Sequence, residues 1–187
     1  DRMILEMLAA DELCPDDENA IRATGFLVRN WYKFDRNVWL DDVIEHTGRA
    51  LLGVTMKCAK CHDHKYDPIS QAEYYRLRAV FEPCDVRTDR VLGELETSKD
   101  GLPRIYDAQL ETPTYLFERG NPKQPDTSTK IDPGSPSVFG GTLDIQPVVL
   151  PVDSYYPSLR TFVSREMIIA AKDAVHAAEV EVQVQEE

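Results

Sequence analysis

The sequence has no apolar run that approaches the twenty residues of a transmembrane helix, so we expect no membrane span. It is also poor in positive charge, since 21 lysines and arginines stand against 33 aspartates and glutamates, for a net charge of −12. A nucleic-acid surface needs clustered basic residues, so we expect no nucleic-acid partner. The leading interpretation of such an acidic exterior is that it keeps the protein soluble, and the second interpretation is docking to a basic redox partner.

No signal peptide is visible at the start of the sequence. The chain begins at Asp1 inside an apparent helix, so we expect a mature fragment or a piece of a longer polypeptide. Its 187 residues, 42% of them hydrophobic, are enough for one domain with a long extension or for two small domains.

Cysteine and histidine are scarce, at four residues each, yet two cysteines and one histidine form a C-x-x-C-H motif from Cys58 to His62. This spacing is the one used for covalent attachment of a c-type haem. Two thiols three positions apart reach the two vinyl groups of one porphyrin edge, and the next residue presents its imidazole to the iron. The motif predicts one haem c per chain, with Cys58 and Cys61 as attachment sites and His62 as the proximal ligand.

The residues after the motif predict a loop and then a helix. His64 lies two positions past His62, where it is a candidate for binding a haem propionate, ligating a second metal or orienting the loop. Ser70 and Glu73 form a capping-box pattern that opens a helix over residues 71–81, which closes at Pro83. We therefore expect the site to consist of the end of one helix, then a binding loop, then the start of the next helix.

The residues before the motif predict the main helix, over residues 38–54, with Asn37 as its cap and an apolar stripe at helical spacing. His46 lies beside that stripe and is a candidate distal ligand, because a six-coordinate haem needs a second strong-field ligand. A lone histidine at such a position is more often an ordinary surface or core residue.

The remaining cysteines, Cys14 and Cys84, are candidates for a disulfide, because haem c is attached outside the cytoplasm, where disulfides persist. The alternative is a pair of buried thiols. The same compartment argument predicts a periplasmic or extracellular protein.

Composition divides the chain into three parts. Residues 1–82 predict a helical haem-binding core, and residues 83–160 contain ten of the twelve prolines and predict an irregular arm with possible strands at 115–117 and 148–150. The charged residues at 85–90 predict a solvated turn. Residues 161–187 predict a coiled-coil-like helix with a seam of apolar residues, namely Ile168, Ala171, Val175, Ala178 and Val182. The fold class is thus mainly α, a small cytochrome-c-like core with a Pro-rich extension.

Several stretches resemble one family, the planctomycete cytochrome c-like domain, which is the second planctomycete-specific cytochrome domain and formally of unknown function. The most specific stretch is LLGVTMKCAKCHDHKYDPISQAEYYRL at residues 51–77, and shorter ones lie at 8–13, 21–30, 114–125 and 131–140. The resemblance covers about residues 1–165, and we expect the chain to carry the C-terminal part of that domain.

This resemblance implies a module of a large exported protein. It implies haem at Cys58, Cys61 and His62, while His64, Asp67 and Pro68 match the family pattern without an assigned role. It implies as partners a redox protein or a neighbouring haem subunit, within a larger complex or a longer polypeptide.

Two other functions remain open from the sequence. A five-coordinate haem with an open face, near His46 or Tyr74, would run peroxidase-like chemistry. Alternatively, Cys58, Cys61, His62 and His64 would bind zinc as a closed structural site. The leading hypothesis is a haem c electron-transfer module.

Overall fold

The computed structural model describes residues 1–141 and 143–186, and its chain is about 52% helical. Helices dominate as expected, but the described residues also form two sheets of two strands each. The helical character is therefore confirmed, but the fold is mixed α/β rather than purely α. The difference arises in the Pro-rich interval, where extended segments pair with one another in place of forming an irregular arm.

The helices have the following bounds: α1 (Arg2–Leu13), α2 (Glu18–Ala23), α3 (Gly25–Val28), α4 (Arg36–Thr47), α5 (Gln71–Phe81), α6 (Thr97–Asp100), α7 (Val152–Tyr155) and α8 (Thr161–Glu186). Short 3₁₀ turns lie at Lys57–Lys60, Glu118–Gly120, Ser137–Phe139 and Pro157–Leu159. No helix among these residues is both long enough and apolar enough to cross a membrane.

The strands are β1 (Cys84–Asp89), β2 (Leu102–Asp107), β3 (Thr114–Phe117) and β4 (Pro125–Ile131). β1 pairs with β2, and β3 pairs with β4 in an antiparallel hairpin whose register shifts between Tyr115 and Leu116. The strand predicted at residues 115–117 is thus confirmed as part of β3. The prediction of a strand at 148–150 is wrong, because this stretch pairs with no other strand in the described chain and Val149 is 94% exposed.

The chain forms two compact units. Unit 1 comprises residues 1–25, 87–104 and 148–187, and a small core in it contains Ala10, Ala20, Ile21 and Leu102. Unit 2 comprises residues 26–86 and 105–147 and contains the C-x-x-C-H motif. The largest fully buried apolar and aromatic side chains of unit 2 are Leu27, Trp39, Leu40, Ile44, Met56, Ile69, Tyr74, Tyr75 and Ile105.

The charged segment after Pro83 is not the solvated turn that its composition predicts. In unit 1 the Asp89 carboxylate is buried, 2.8 Å from Arg87 Nε, 3.6 Å from Arg104 Nη1 and 3.5 Å from Arg160 Nη2. Buried carboxylates persist when cations compensate their lost hydration, and here three guanidinium groups surround one carboxylate.

The main helix is shorter than its apolar stripe predicts. Asp35, not Asn37, is the N-cap of α4, because its carboxylate accepts from the backbone N–H groups of Asn37 (3.0 Å) and Val38 (3.3 Å). After Thr47 the chain forms a single π-helical turn, Gly48–Leu52, that ends at Gly53 with φ 70°. A Cβ at Gly48 would lie 2.6 Å from Met56 Cγ, so the chain returns directly over this glycine. The early end of α4 brings the C-x-x-C-H motif back onto its last turns.

Helix α5 forms as its capping box predicts. Ser70 accepts from the Glu73 backbone N–H and the Glu73 carboxylate accepts from the Ser70 backbone N–H, so both halves of the box are present. The helix ends at Phe81, two residues before Pro83, because proline cannot continue the backbone hydrogen-bond ladder. The capping box thus fixes the start of the helix at Gln71, after the loop that follows the motif.

Candidate functional site

The C-x-x-C-H motif lies on a short 3₁₀ turn, Lys57–Lys60, on the surface of unit 2. Cys58, Cys61 and His62 are exposed, whereas Ala59 between the two cysteines is fully buried. The turn thus inserts Ala59 into the core and displays both thiols and the imidazole to solvent.

A buried carboxylate on α4 holds the start of this turn. Glu45 Oε2 accepts from the backbone N–H groups of Met56 (2.8 Å) and Lys57 (2.7 Å). Its other oxygen, Oε1, lies 2.6 Å from Arg49 Nε. The carboxylate therefore satisfies the donors that begin the turn, which have no partner inside the turn itself. The apolar-stripe prediction did not include Glu45, although its place next to Ile44 on the buried face of α4 is a signal for such a role.

A second carboxylate, Asp41, binds the interior of the motif. Its Oδ2 lies 2.6 Å from Lys60 Nζ, and its Oδ1 accepts from the Tyr74 hydroxyl at 2.6 Å and lies 3.4 Å from Arg78 Nη1. Burial, together with the nearby Asp41 charge, raises the pKa of Tyr74, so its hydroxyl remains a donor. From the sequence, Tyr74 is a candidate for peroxidase-like chemistry. In the structure it is buried, and its hydroxyl donates its hydrogen bond to Asp41.

Helix α5 holds the end of the motif. The Lys60 carbonyl accepts from Gln71 Nε2 (2.9 Å) and from the Tyr75 hydroxyl (3.2 Å). Asp63 Oδ1 accepts from the Gln71 backbone N–H at 2.8 Å. Burial raises the pKa of Tyr75, so this hydroxyl also stays protonated. The motif is therefore fastened from both sides by polar contacts to α4 and α5.

The His62 imidazole is held in one tautomer. Its Nδ1 lies 2.7 Å from the Asp63 carbonyl oxygen, and a carbonyl only accepts hydrogen bonds, so Nδ1 carries a proton. In the neutral ring, Nε2 then keeps its lone pair, and within the described residues no group bonds to it. Metal-ligating histidines commonly donate their other ring N–H to a backbone carbonyl in this manner.

His64 has the opposite arrangement, although it lies only two residues further on. Its Nδ1 accepts from the backbone N–H groups of Asp67 (2.8 Å) and Tyr66 (3.3 Å), so Nε2 carries the proton and donates to Thr55 Oγ1 at 3.1 Å. The Asp67 carboxylate, 3.5 Å from Nδ1, faces an acceptor and forms no ion pair with it. Both ring nitrogens are engaged in shaping the loop.

His46 also has a partner. Its Nε2 lies 3.1 Å from Asn30 Nδ2 and accepts from that amide. The residues that the structure describes contain no group of three or more histidines, cysteines, aspartates or glutamates placed to hold a metal ion. The four proposed zinc donors, Cys58, Cys61, His62 and His64, are therefore not assembled as a closed set. To join one through Nδ1, His64 would have to break its hydrogen bonds from Tyr66 and Asp67.

The backbone of Gly120 packs on the Cys61 thiol, a contact that the sequence analysis missed. A Cβ at Gly120 would lie 2.6 Å from Cys61 Sγ and 3.1 Å from Lys60 Cγ. Gly120 has φ +73° and ends the 3₁₀ turn that follows β3. A glycine in the loop GNPKQP signals a turn, but its spatial neighbour is not readable from the loop itself.

All four cysteines are thiols in the structure, and the Cys14–Cys84 disulfide stays a prediction. Cys14 belongs to unit 1 and Cys84 to unit 2. The Cys84 thiol lies 3.5 Å from Asp107 Oδ1, across the β1–β2 pair.

Comparison with known families adds one match. Residues 1–86 match the model of the PSCyt2 family, described as "Protein of unknown function (DUF1549)". The resemblance to a planctomycete cytochrome-like domain of unknown function is thereby confirmed for this part of the chain. The expectation that the chain carries the C-terminal part of that domain is not supported, because the match lies at the N-terminal end of the chain. No curated protein and no solved structure matches the chain.

Proposed function

We propose that unit 2 is a haem c electron-transfer module, with one haem attached through Cys58 and Cys61 and ligated by His62. The observation that carries this proposal is the state of the motif: both thiols are exposed on one turn, and the His62 Nε2 lone pair has no partner in the described chain. A c-type attachment site requires these three groups in this order.

The chain's own residues would prepare the site. Glu45, Asp41 and Gln71 hold the turn before any group binds, so the thiols and the imidazole are presented on a fixed backbone. The Asp63 carbonyl keeps Nδ1 of His62 protonated and Nε2 available to iron. Bound haem supplies a ferrous/ferric couple, and the exposure of the site allows a redox partner to approach closely.

The partner and compartment follow from the same proposal. Thioether attachment of haem and oxidising conditions belong outside the cytoplasm, so we assign the module to the periplasm or cell exterior. A net charge of −12 favours a basic redox protein or haem subunit as partner, through electrostatic steering.

A pyridine haemochrome assay on the protein, produced in an oxidising compartment with a haem c attachment system, tests the proposal. We expect one haem c per chain, loss of covalent haem in Cys58→Ala/Cys61→Ala, and a changed iron spectrum in His62→Ala. Cys14→Ala is the matched control and should keep full haem. Haem-free protein under these conditions, with both motif thiols still titratable, would contradict the proposal.

One observation favours a second candidate, a haem site with an open face and peroxidase-like activity. His46 and His64 both use Nε2 in hydrogen bonds, so neither offers a ready second ligand. Rapid binding of carbon monoxide to the reduced protein and a high-spin spectrum would support this candidate. A low-spin spectrum that carbon monoxide does not change would exclude it in favour of electron transfer.

A further inference from the structure

Helix α8 carries an apolar seam that nothing in the described chain covers. Ile168, Val175 and Val182 are 56%, 58% and 54% exposed, and Ala171 and Ala178 between them are also exposed. Every side chain from position 171 to 184 is exposed. These five residues alternate by three and four, which places them at positions a and d of a heptad repeat.

The charged residues beside this seam indicate which kind of helix could pair with it. With Ile168, Val175 and Val182 at position a, both Lys172 and Glu179 fall at position e, seven residues apart and opposite in sign. In an antiparallel pair of helices the e positions of one chain face those of the other. A two-fold axis beside Val175 then brings Lys172 of each copy to Glu179 of the other, which gives two ion pairs.

A parallel pair lacks this complementarity. There the e positions face the g positions, so Lys172 lies opposite Met167 and Glu179 lies opposite Ala174, neither of which is charged. Alanine at both d positions further allows two helix backbones to approach closely. The same surface on both partners is what a two-fold symmetric dimer requires.

We propose that α8 is a dimerisation element in which a second copy of this chain pairs with it in antiparallel orientation, through the Ile168–Val182 seam and reciprocal Lys172–Glu179 pairs. The seam spans about two heptads, so the dimer is weak and depends on protein concentration. This inference is independent of haem attachment in unit 2.

Sedimentation velocity on the full chain over a range of concentrations tests this proposal. We expect the average mass to rise above the 21.3 kDa monomer towards a dimer. Lys172→Glu and Glu179→Lys should each raise the dissociation constant by about tenfold or more, because two attractive pairs become repulsive. Mixing the two single variants, or combining both changes in one chain, should restore the dimer.

Asp173→Lys is the matched control, since it makes the same change in charge as Glu179→Lys at an exposed position f on the outer side of the seam. It should leave dimerisation unchanged. Recovery in the mixture and in the double variant separates lost pairing from lost helix, which would not recover. A monomeric wild type at the highest concentration overturns the proposal. So does a dimer that the single reversals do not weaken, or one that the mixture does not restore.

Discussion

His62 and His64 show at the residue scale how hydrogen bonds assign roles that composition leaves open. The two rings lie two positions apart, yet one donates from Nδ1 to a carbonyl and the other accepts at Nδ1 from two backbone N–H groups. Because an imidazole Nδ1 can only do one of these in its neutral form, the rings are opposite tautomers. Of these two rings, only His62 therefore has an uncommitted Nε2.

The first prediction at the residue scale concerns the replacement of Gly120 by alanine. Gly120→Ala should lower the free energy of unfolding by about 2–3 kcal/mol, because alanine is strained at φ +73° and its Cβ would meet Cys61 Sγ at 2.6 Å. The variant should also change the rate at which Cys61 reacts with a thiol reagent. Urea denaturation and thiol titration measure the two effects.

Gly93→Ala separates strain from the clash. Gly93 has φ +87°, but a Cβ there would meet nothing within 4 Å. This control should lose only about 1 kcal/mol and leave thiol reactivity unchanged. Equal losses in both variants would show that the contact with Cys61 contributes nothing.

At the scale of elements, α5 links the motif to the fold through its first turn. Gln71 binds the motif, and the Glu73 carboxylate accepts from Ser70 and from the Ser137 backbone N–H at 2.7 Å. Partial burial alone would raise the pKa of Glu73, but the hydrogen bonds from Ser137 and Ser70 outweigh it and lower the pKa from 4.5 to about 2.

This lowered pKa predicts an acid-dependent loss of stability. A folded-state pKa below the unfolded value means that the contribution of Glu73 is complete above about pH 4.5 and is lost as pH falls towards 2. Glu73→Gln should therefore lower stability at pH 6 and reduce the further loss between about pH 5 and pH 2.5. Urea denaturation at both pH values measures this.

Glu111→Gln is the control for that experiment, because Glu111 is exposed. It should keep the wild-type pH dependence. If Glu73→Gln loses as much stability on acidification as the wild type does, then Glu73 does not carry the effect.

At the scale of the whole molecule, α8 differs from the other long helices in having little of its surface buried. Val163 is buried and Glu166 bonds to Arg90 and Gly93, so the first turns belong to the core of unit 1. From position 171 to position 184 every side chain is exposed. Residues 171–184 of α8 therefore contribute little packing within a single chain.

A truncation after Ala170 tests this division. Removing residues 171–187 should shift the melting temperature by less than about 2 °C at low protein concentration, because every side chain from 171 to 184 is exposed. Differential scanning calorimetry measures the shift. A drop of 5 °C or more would mean that the end of α8 stabilises the folded monomer.

Local patterns predicted much of this protein because their causes are local. The capping box of Ser70 and Glu73, the stop before Pro83 and the C-terminal helix depend on neighbours within a few residues. The C-x-x-C-H spacing likewise predicts the candidate site, because the pattern occupies five consecutive positions.

Tertiary structure alone decided what surrounds that motif. The residues that contact it come from 11 to 59 positions away in the sequence. These contacts are Asp41 with Lys60, Glu45 with Met56, and Gly120 with Cys61. The end of α4 at Thr47 belongs with these contacts, because Met56 packs over Gly48 where the helix ends. The tautomers of His62 and His64 are set by partners only one to nine residues away, through a loop geometry that the C-x-x-C-H pattern does not specify. Composition and periodicity carry no information on such contacts, because buried hydrogen bonds are satisfied by whichever groups the fold brings together.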